Sequence, residues 1–159
     1  RAKLAENAEK RAQAAFEEAV MDALVEGMTA DIPDAMFEEQ LDRVVEDFGY
    51  RLQMQGMNVE AYIQMTGQSP DEFRTQFRPQ AERQVKVRLA LETVATKEGI
   101  EIPAEEVEAE FARLAEQYKM PVERVRELIP TQSLATDLKV QKAVERIMET
   151  AVAVAPKAE

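Results

Sequence analysis

The chain has 159 residues, 45% hydrophobic and 32% charged, with a net charge of −11 and neither Cys nor His. That length supports one domain with a real core, and the missing Cys and His exclude disulfides, thiol nucleophiles, imidazole bases and nearly all zinc chemistry. The acidic balance offers no basic face to displace phosphate counterions, so direct nucleic-acid binding is not expected; no apolar run approaches the ~18–20 residues of a bilayer span, so neither is a membrane partner.

The N-terminal RAKLAENAEKRAQ has no initial Met and no apolar signal-peptide core, and it already fits a helix. These features predict a piece cut from a longer, cytoplasmic protein. A first helix is expected over about Leu4 to Glu26, where Phe16, Val20 and Leu24 recur every fourth residue. Ala12, Ala19 and Ala23 beside them form a stripe that lets another helix approach closely. Gly27 stops it. After a linker at Met28–Ile32, Pro33 is placed as a first-turn proline, and the second helix runs to about Gln55. Its core face is Phe37, Leu41, Val44, Val45, Phe48 and Leu52.

A short helix follows over about Asn58 to Met65, stopped at Gly67. Ser69-Pro70-Asp71-Glu72 is a strong helix start: a capping Ser, a first-turn Pro, then two acids. The fourth helix is expected over about Pro70 to Lys97, kinked or split by the internal Pro79. Val85 to Leu89 alternates like a strand, yet no turn bounds it, and Leu91, Val94 and Ala95 continue a broad apolar face. Pro103 opens a fifth helix through Val107, Phe111, Leu114, Ala115 and Tyr118. Pro121 opens a sixth, with Val122, Val125, Leu128 and Ile129, and Pro130 breaks it. The seventh spans about Ser133 to Val152, capped by Ser133, and 155–159 is expected to fray.

Two stretches share a pattern. Ile32-Pro33, Phe37, Leu41, Arg43, Val44, Glu46 and Phe48 match Ile102-Pro103, Val107, Phe111, Arg113, Leu114, Glu116 and Tyr118 at a constant offset of 70 residues. Met57-Asn58-Val59-Glu60 then resembles Met120-Pro121-Val122-Glu123 at an offset of 63. Each copy reads long helix, short helix, long return helix. The expected fold is all-α and elongated: two helical-hairpin arms on a helical base. Residues 1–27 form a base helix, 31–99 the first arm with its return helix, 100–130 the second arm and 131–155 the C-terminal base helix.

No chemistry assembles. The pairs Glu38-Glu39, Asp71-Glu72 and Glu105-Glu106 lie near helix N-termini, where acids complement the dipole and stay solvated. There is no calcium loop, no phosphate loop and no G-x-S-x-G elbow. No catalytic residue, metal or other cofactor is expected. The apolar residues at the arm tips carry more. Met54, Met57, Tyr62 and Met65 cluster at the first, with Phe73 and Phe77 on its return helix; Tyr118 and Met120 sit at the second. Methionine is flexible and polarizable and suits surfaces that accept varied partners. Four or five buried side chains at roughly 1.5–3 kcal/mol each leave, after association costs, affinities of roughly micromolar or weaker.

The resemblance to a known family rests on longer segments. They are Ile32-Pro33-Asp34-Ala35-Met36 with Glu38-Glu39, Tyr50-Arg51-Leu52-Gln53-Met54-Gln55-Gly56 and Tyr62-Ile63-Gln64-Met65-Thr66-Gly67. Phe77-Arg78-Pro79-Gln80-Ala81-Glu82 before Val85-Lys86, and Glu98-Gly99-Ile100-Glu101-Ile102, complete them. In this order and spacing the chain resembles the C-terminal domain of trigger factor, the bacterial ribosome-associated chaperone family. The resemblance implies ATP-independent binding of unfolded or nascent polypeptides through apolar surface between the arms. It also implies that the ribosome-docking and peptidyl-prolyl isomerase domains belong to parts of the parent not seen in this sequence, so ribosome contact and isomerase activity are not expected here. A competing reading is a structural domain whose arms clasp a partner or a second copy as a weak homodimer.

Overall fold

The structure, a computed structural model, describes residues 2–151, with side chains from residue 10 onward. Among the described residues it is all-α, without a strand. Eight helices follow in order: α1 Ala2–Glu26, α2 Asp34–Met54, α3 Val59–Thr66, α4 Pro70–Thr75, α5 Arg78–Lys97, α6 Ala104–Tyr118, α7 Val122–Leu128 and α8 Thr131–Thr150. The described residues form two compact units, one of residues 24–88 and one of residues 2–23 with 89–151. The fraying expected at 155–159 lies outside the described residues.

Proline punctuates the helices, one position earlier than expected. Pro33, Pro103, Pro121 and Pro130 are N-caps, with φ of −58 or −59° and extended ψ of 133–145°. The ring fixes φ and the extended ψ is what a residue outside the helix adopts, so proline enforces a sharp entry. Its side chain supplies no capping oxygen, but its carbonyl accepts the first helical bond, as Pro33 does from the Met36 N–H at 3.0 Å. Pro130 likewise caps α8, which places Ser133 inside the first turn instead of at its cap.

The expected fourth helix is two. Pro79 has no N–H, and its ring would meet the carbonyl of Thr75, four residues back. Thr75 is where α4 ends. The Phe77 N–H instead reaches Arg74 O at 3.1 Å, a tighter turn, and the ladder resumes with Ala81 N–H to Phe77 O at 3.0 Å. Val85 to Leu89 is helical despite its alternation. Buried Val85 and Ala90 are five residues apart, about 140° around a helix, so α5 is covered on more than one side.

In the unit of residues 24–88, Leu41 and Val44 of α2 pack on Ala81 of α5, flanked by Val45 and Phe77. Ion pairs Arg78–Asp34 and Arg74–Asp42 set the two sides antiparallel. In the other unit, Val107, Phe111 and Ala115 of α6 form a core with Val125 of α7 and Leu134 of α8. Phe111 is fully buried. On α1, Phe16, Val20 and Leu24 are half-buried, whereas Ala12, Ala19 and Ala23 are exposed, contrary to the close approach expected of them.

The repeat is carried into the elements. α2 and α6 start 70 residues apart. Their ends correspond at 63: Met57 N–H donates to Leu52 O and Met120 N–H to Ala115 O, both at 2.9 Å. The second copy is shortened chiefly in its long helix, which has 21 residues in α2 and 15 in α6.

Candidate functional site

The tip of the first hairpin is built by local rules. Asn58 caps α3 by accepting the Ala61 N–H at 2.7 Å. Gly67 ends α3 at φ 69°, a left-handed conformation that glycine adopts without penalty. Ser69 and Glu72 form a reciprocal capping box at α4: the Glu72 N–H donates to Ser69 Oγ, and the Ser69 N–H to Glu72 Oε2 at 2.8 Å. The bond from the Ser69 N–H holds the Glu72 carboxyl below the usual range.

These caps gather four rings. Phe48 lies 5.1 Å from Phe77, 5.3 Å from Tyr62 and 5.7 Å from Phe73, and Phe73 lies 5.2 Å from Phe77. Their tilted and edge-on arrangements match the ring quadrupole's preference. One element supplies each part: α2 gives Phe48, α3 Tyr62 and α4 Phe73, while Phe77 lies at the α4–α5 break.

Charged groups bridge the same hairpin along α2. Glu38 accepts from Arg74 at 2.9 Å and from Arg78 at 2.7 Å. Arg74 also pairs with Asp42, and Arg78 with Asp34 and Glu82. The Arg74 hydrogen bond, reinforced by Arg78, holds the Glu38 carboxyl below its ordinary value. Asp42 first and Glu38 second raise Arg74, and Glu82 leads the groups that raise Arg78.

The tip residues singled out in the sequence divide by exposure. Met54 is 74% exposed, Met65 67% and Tyr118 61%. Met57, Tyr62 and Phe77 are half-buried. Phe73 is 2% exposed, so it supports the tip from beneath and offers no surface of its own. Met120 is half-buried against the α6–α8 core. Tyr62, Phe73 and Phe77 are brought into one cluster, while Tyr118 and Met120 belong to the other unit. Tyr50, Met36 and Leu128 are exposed too and were not anticipated. The helical period could have found Tyr50: it lies nine residues from buried Leu41, about 180° around α2, and Met54 is one turn further on. What these side chains present is exposed apolar surface, and among the described residues there is no buried polar or charged side chain. Among the described residues no helix is long and apolar enough to cross a membrane.

A family model described as the C-terminus of bacterial trigger factor matches residues 1–149. The chain belongs to the trigger factor C-terminus family. The trigger factor of Bacillus licheniformis is 41% identical over 148 residues, covering 92% of this chain and 35% of that protein. That of Bacillus subtilis is 40% identical over 148 residues, with the same coverage. The chain therefore spans about a third, 35%, of the length of these trigger factors. A solved structure of trigger factor domains from Thermotoga maritima shares the fold, with a TM-score of 0.59 over 87% of this chain and 82% of that one, at 20% identity.

Proposed function

We propose that this chain is the client-holding part of a trigger factor chaperone: it binds unfolded or nascent polypeptides without ATP through apolar side chains displayed on its helical arms. In this reading residues 31–99 and 100–130 supply the two arms. The observation that carries the reading is the exposure of Met54, Met65 and Tyr118, at 74, 67 and 61%. Folding gains little from large apolar groups left in water, whereas a client segment would cover them. Tyr50, four residues before Met54, extends the surface. Family membership supports the same role.

Each contact is worth little, so binding is weak and reversible, which lets a client leave and fold. The net charge of −11 keeps such a surface soluble and the chain self-repelling. Ribosome docking and prolyl isomerisation are left to the remaining two-thirds of the parent, and this chain is expected to accelerate no prolyl isomerisation.

The test is aggregation suppression by a variant with Met54→Ser, Met65→Ser and Tyr118→Ser. All three lie outside the buried cores, so the thermal transition should stay near that of the parent chain, while suppression of an aggregating polypeptide falls severalfold. Unchanged suppression at an unchanged transition places client binding elsewhere.

A further inference from the structure

Residues 59–75, comprising α3 and α4, are bounded at one end by Gly56 with φ 78° and at the other by the Gln76–Phe77 break. Both boundaries are points where backbone dihedrals change cheaply: a glycine in the left-handed region, and a turn where proline has already interrupted the ladder. Between them, α3 and α4 cover the rings of Phe48 and Phe77 with those of Tyr62 and Phe73. The ring cluster and the Val59 side chain against Gly49 hold this segment to α2, together with ion pairs that the two arginines divide. Arg78 is the first residue of α5 and binds Asp34, Glu38 and Glu82, so it fastens α5 to α2. Arg74 is on α4 and binds Glu38 and Asp42 of α2, so it fastens α4. Glu38 receives both, one arginine from each side of the break.

We propose that α3–α4 is a hinged cap over an aromatic surface, pivoting at Gly56 and at Gln76–Phe77, with Arg74 as its latch to Glu38 and Asp42. Lifting the cap breaks the Arg74 pairs and leaves the Arg78 pairs intact, so α2 and α5 stay together while Phe48, Phe73 and Phe77 become accessible. The exposed ends of the ion pairs make the latch sensitive to salt, since partly solvated charges are screened within about 10 Å at 0.1 M.

Amide hydrogen exchange of the 159-residue chain tests it, with 1-anilinonaphthalene-8-sulfonate fluorescence reporting uncovered apolar surface. Arg74→Gln should speed exchange across residues 59–76 by about fivefold, the range of a lost exposed network of ion pairs, and raise dye fluorescence. Exchange in Leu41–Phe48 and Ala81–Leu91 should be unmoved. Asp42→Asn should act in the same direction, and Asp34→Asn, on the Arg78 side, should not. Raising salt should reproduce the effect in the parent chain and add less to it in Arg74→Gln. No acceleration in Arg74→Gln overturns the proposal. So does acceleration shared equally by α2, α4 and α5, which marks one cooperative unit with no hinge, and so does acceleration without a rise in dye fluorescence.

Discussion

Lys119 occupies in the second hairpin the position that Gly56 holds in the first: each precedes the methionine that closes its helix, and each has left-handed backbone, at φ 53° and 78°. For glycine that conformation is free, whereas a side chain there crowds the following carbonyl at about 1 kcal/mol. Lys119→Gly is therefore expected to stabilise the chain by about 1 kcal/mol, raising the thermal midpoint by roughly 2–4 °C. Gly56→Ala should lower it by a similar amount. Calorimetry on both variants checks the pair.

Glu38 should make the first hairpin acid-sensitive. Its carboxyl titrates below the ordinary range when folded, chiefly because Arg74 donates to it. On acidification the unfolded chain takes up this proton first, at about pH 4.3, so stability present above that value is lost as pH falls through the lower folded one. Glu72 and Glu110 shift in the same direction, through Ser69 and Arg113. Denaturant unfolding between pH 6 and 3, measured at about half-unit steps, should show stability falling toward acid. Glu38→Gln should flatten that slope, and an unchanged slope would remove Glu38 from the acid response.

At Gly49, α3 packs closely on α2 through Val59. A Cβ built there would lie 3.1 Å from Val59 Cγ2. In a helix interior alanine is favoured over glycine by about 1 kcal/mol, but here the gain requires Val59 to give way. Gly49→Ala alone is expected to be near neutral or destabilising, and Gly49→Ala combined with Val59→Ala to recover the helix-propensity gain relative to Val59→Ala alone. A double-mutant cycle by urea unfolding measures this coupling.

Phe111 anchors the α6–α8 core at 0% exposure, under the Arg126 guanidinium at 4.7 Å from its ring. Phe111→Ala should cost about 3–5 kcal/mol. Ser69→Ala, which removes only the α4 cap, should cost about 1 kcal/mol. Far-UV circular dichroism during urea titration separates these two outcomes.

The helices and the two-copy pattern were legible because their signals are local. Ile-Pro entries, glycine exits and apolar residues at helical spacing need no knowledge of what packs opposite. Pro79 likewise announced a break, though its position, after Thr75, follows from a clash four residues back. Side-chain exposure was not local in this way. Met54 and Phe73 look alike in sequence, both apolar and near a tip, yet one faces water and the other is buried among three rings. Only the partner element decides, and composition does not name it. Tyr50 is hard to single out because it shares the exposed face of α2 with charged residues, where one aromatic breaks no pattern.

The most direct test of client binding is an NMR titration of the chain, labelled at its methionine methyls, with an unfolded polypeptide and with the folded form of the same protein. Shifts of the Met54 and Met65 methyls with the unfolded form alone are the predicted result. No shift at either methyl, or equal shifts with both forms, would contradict a client-holding surface at these tips.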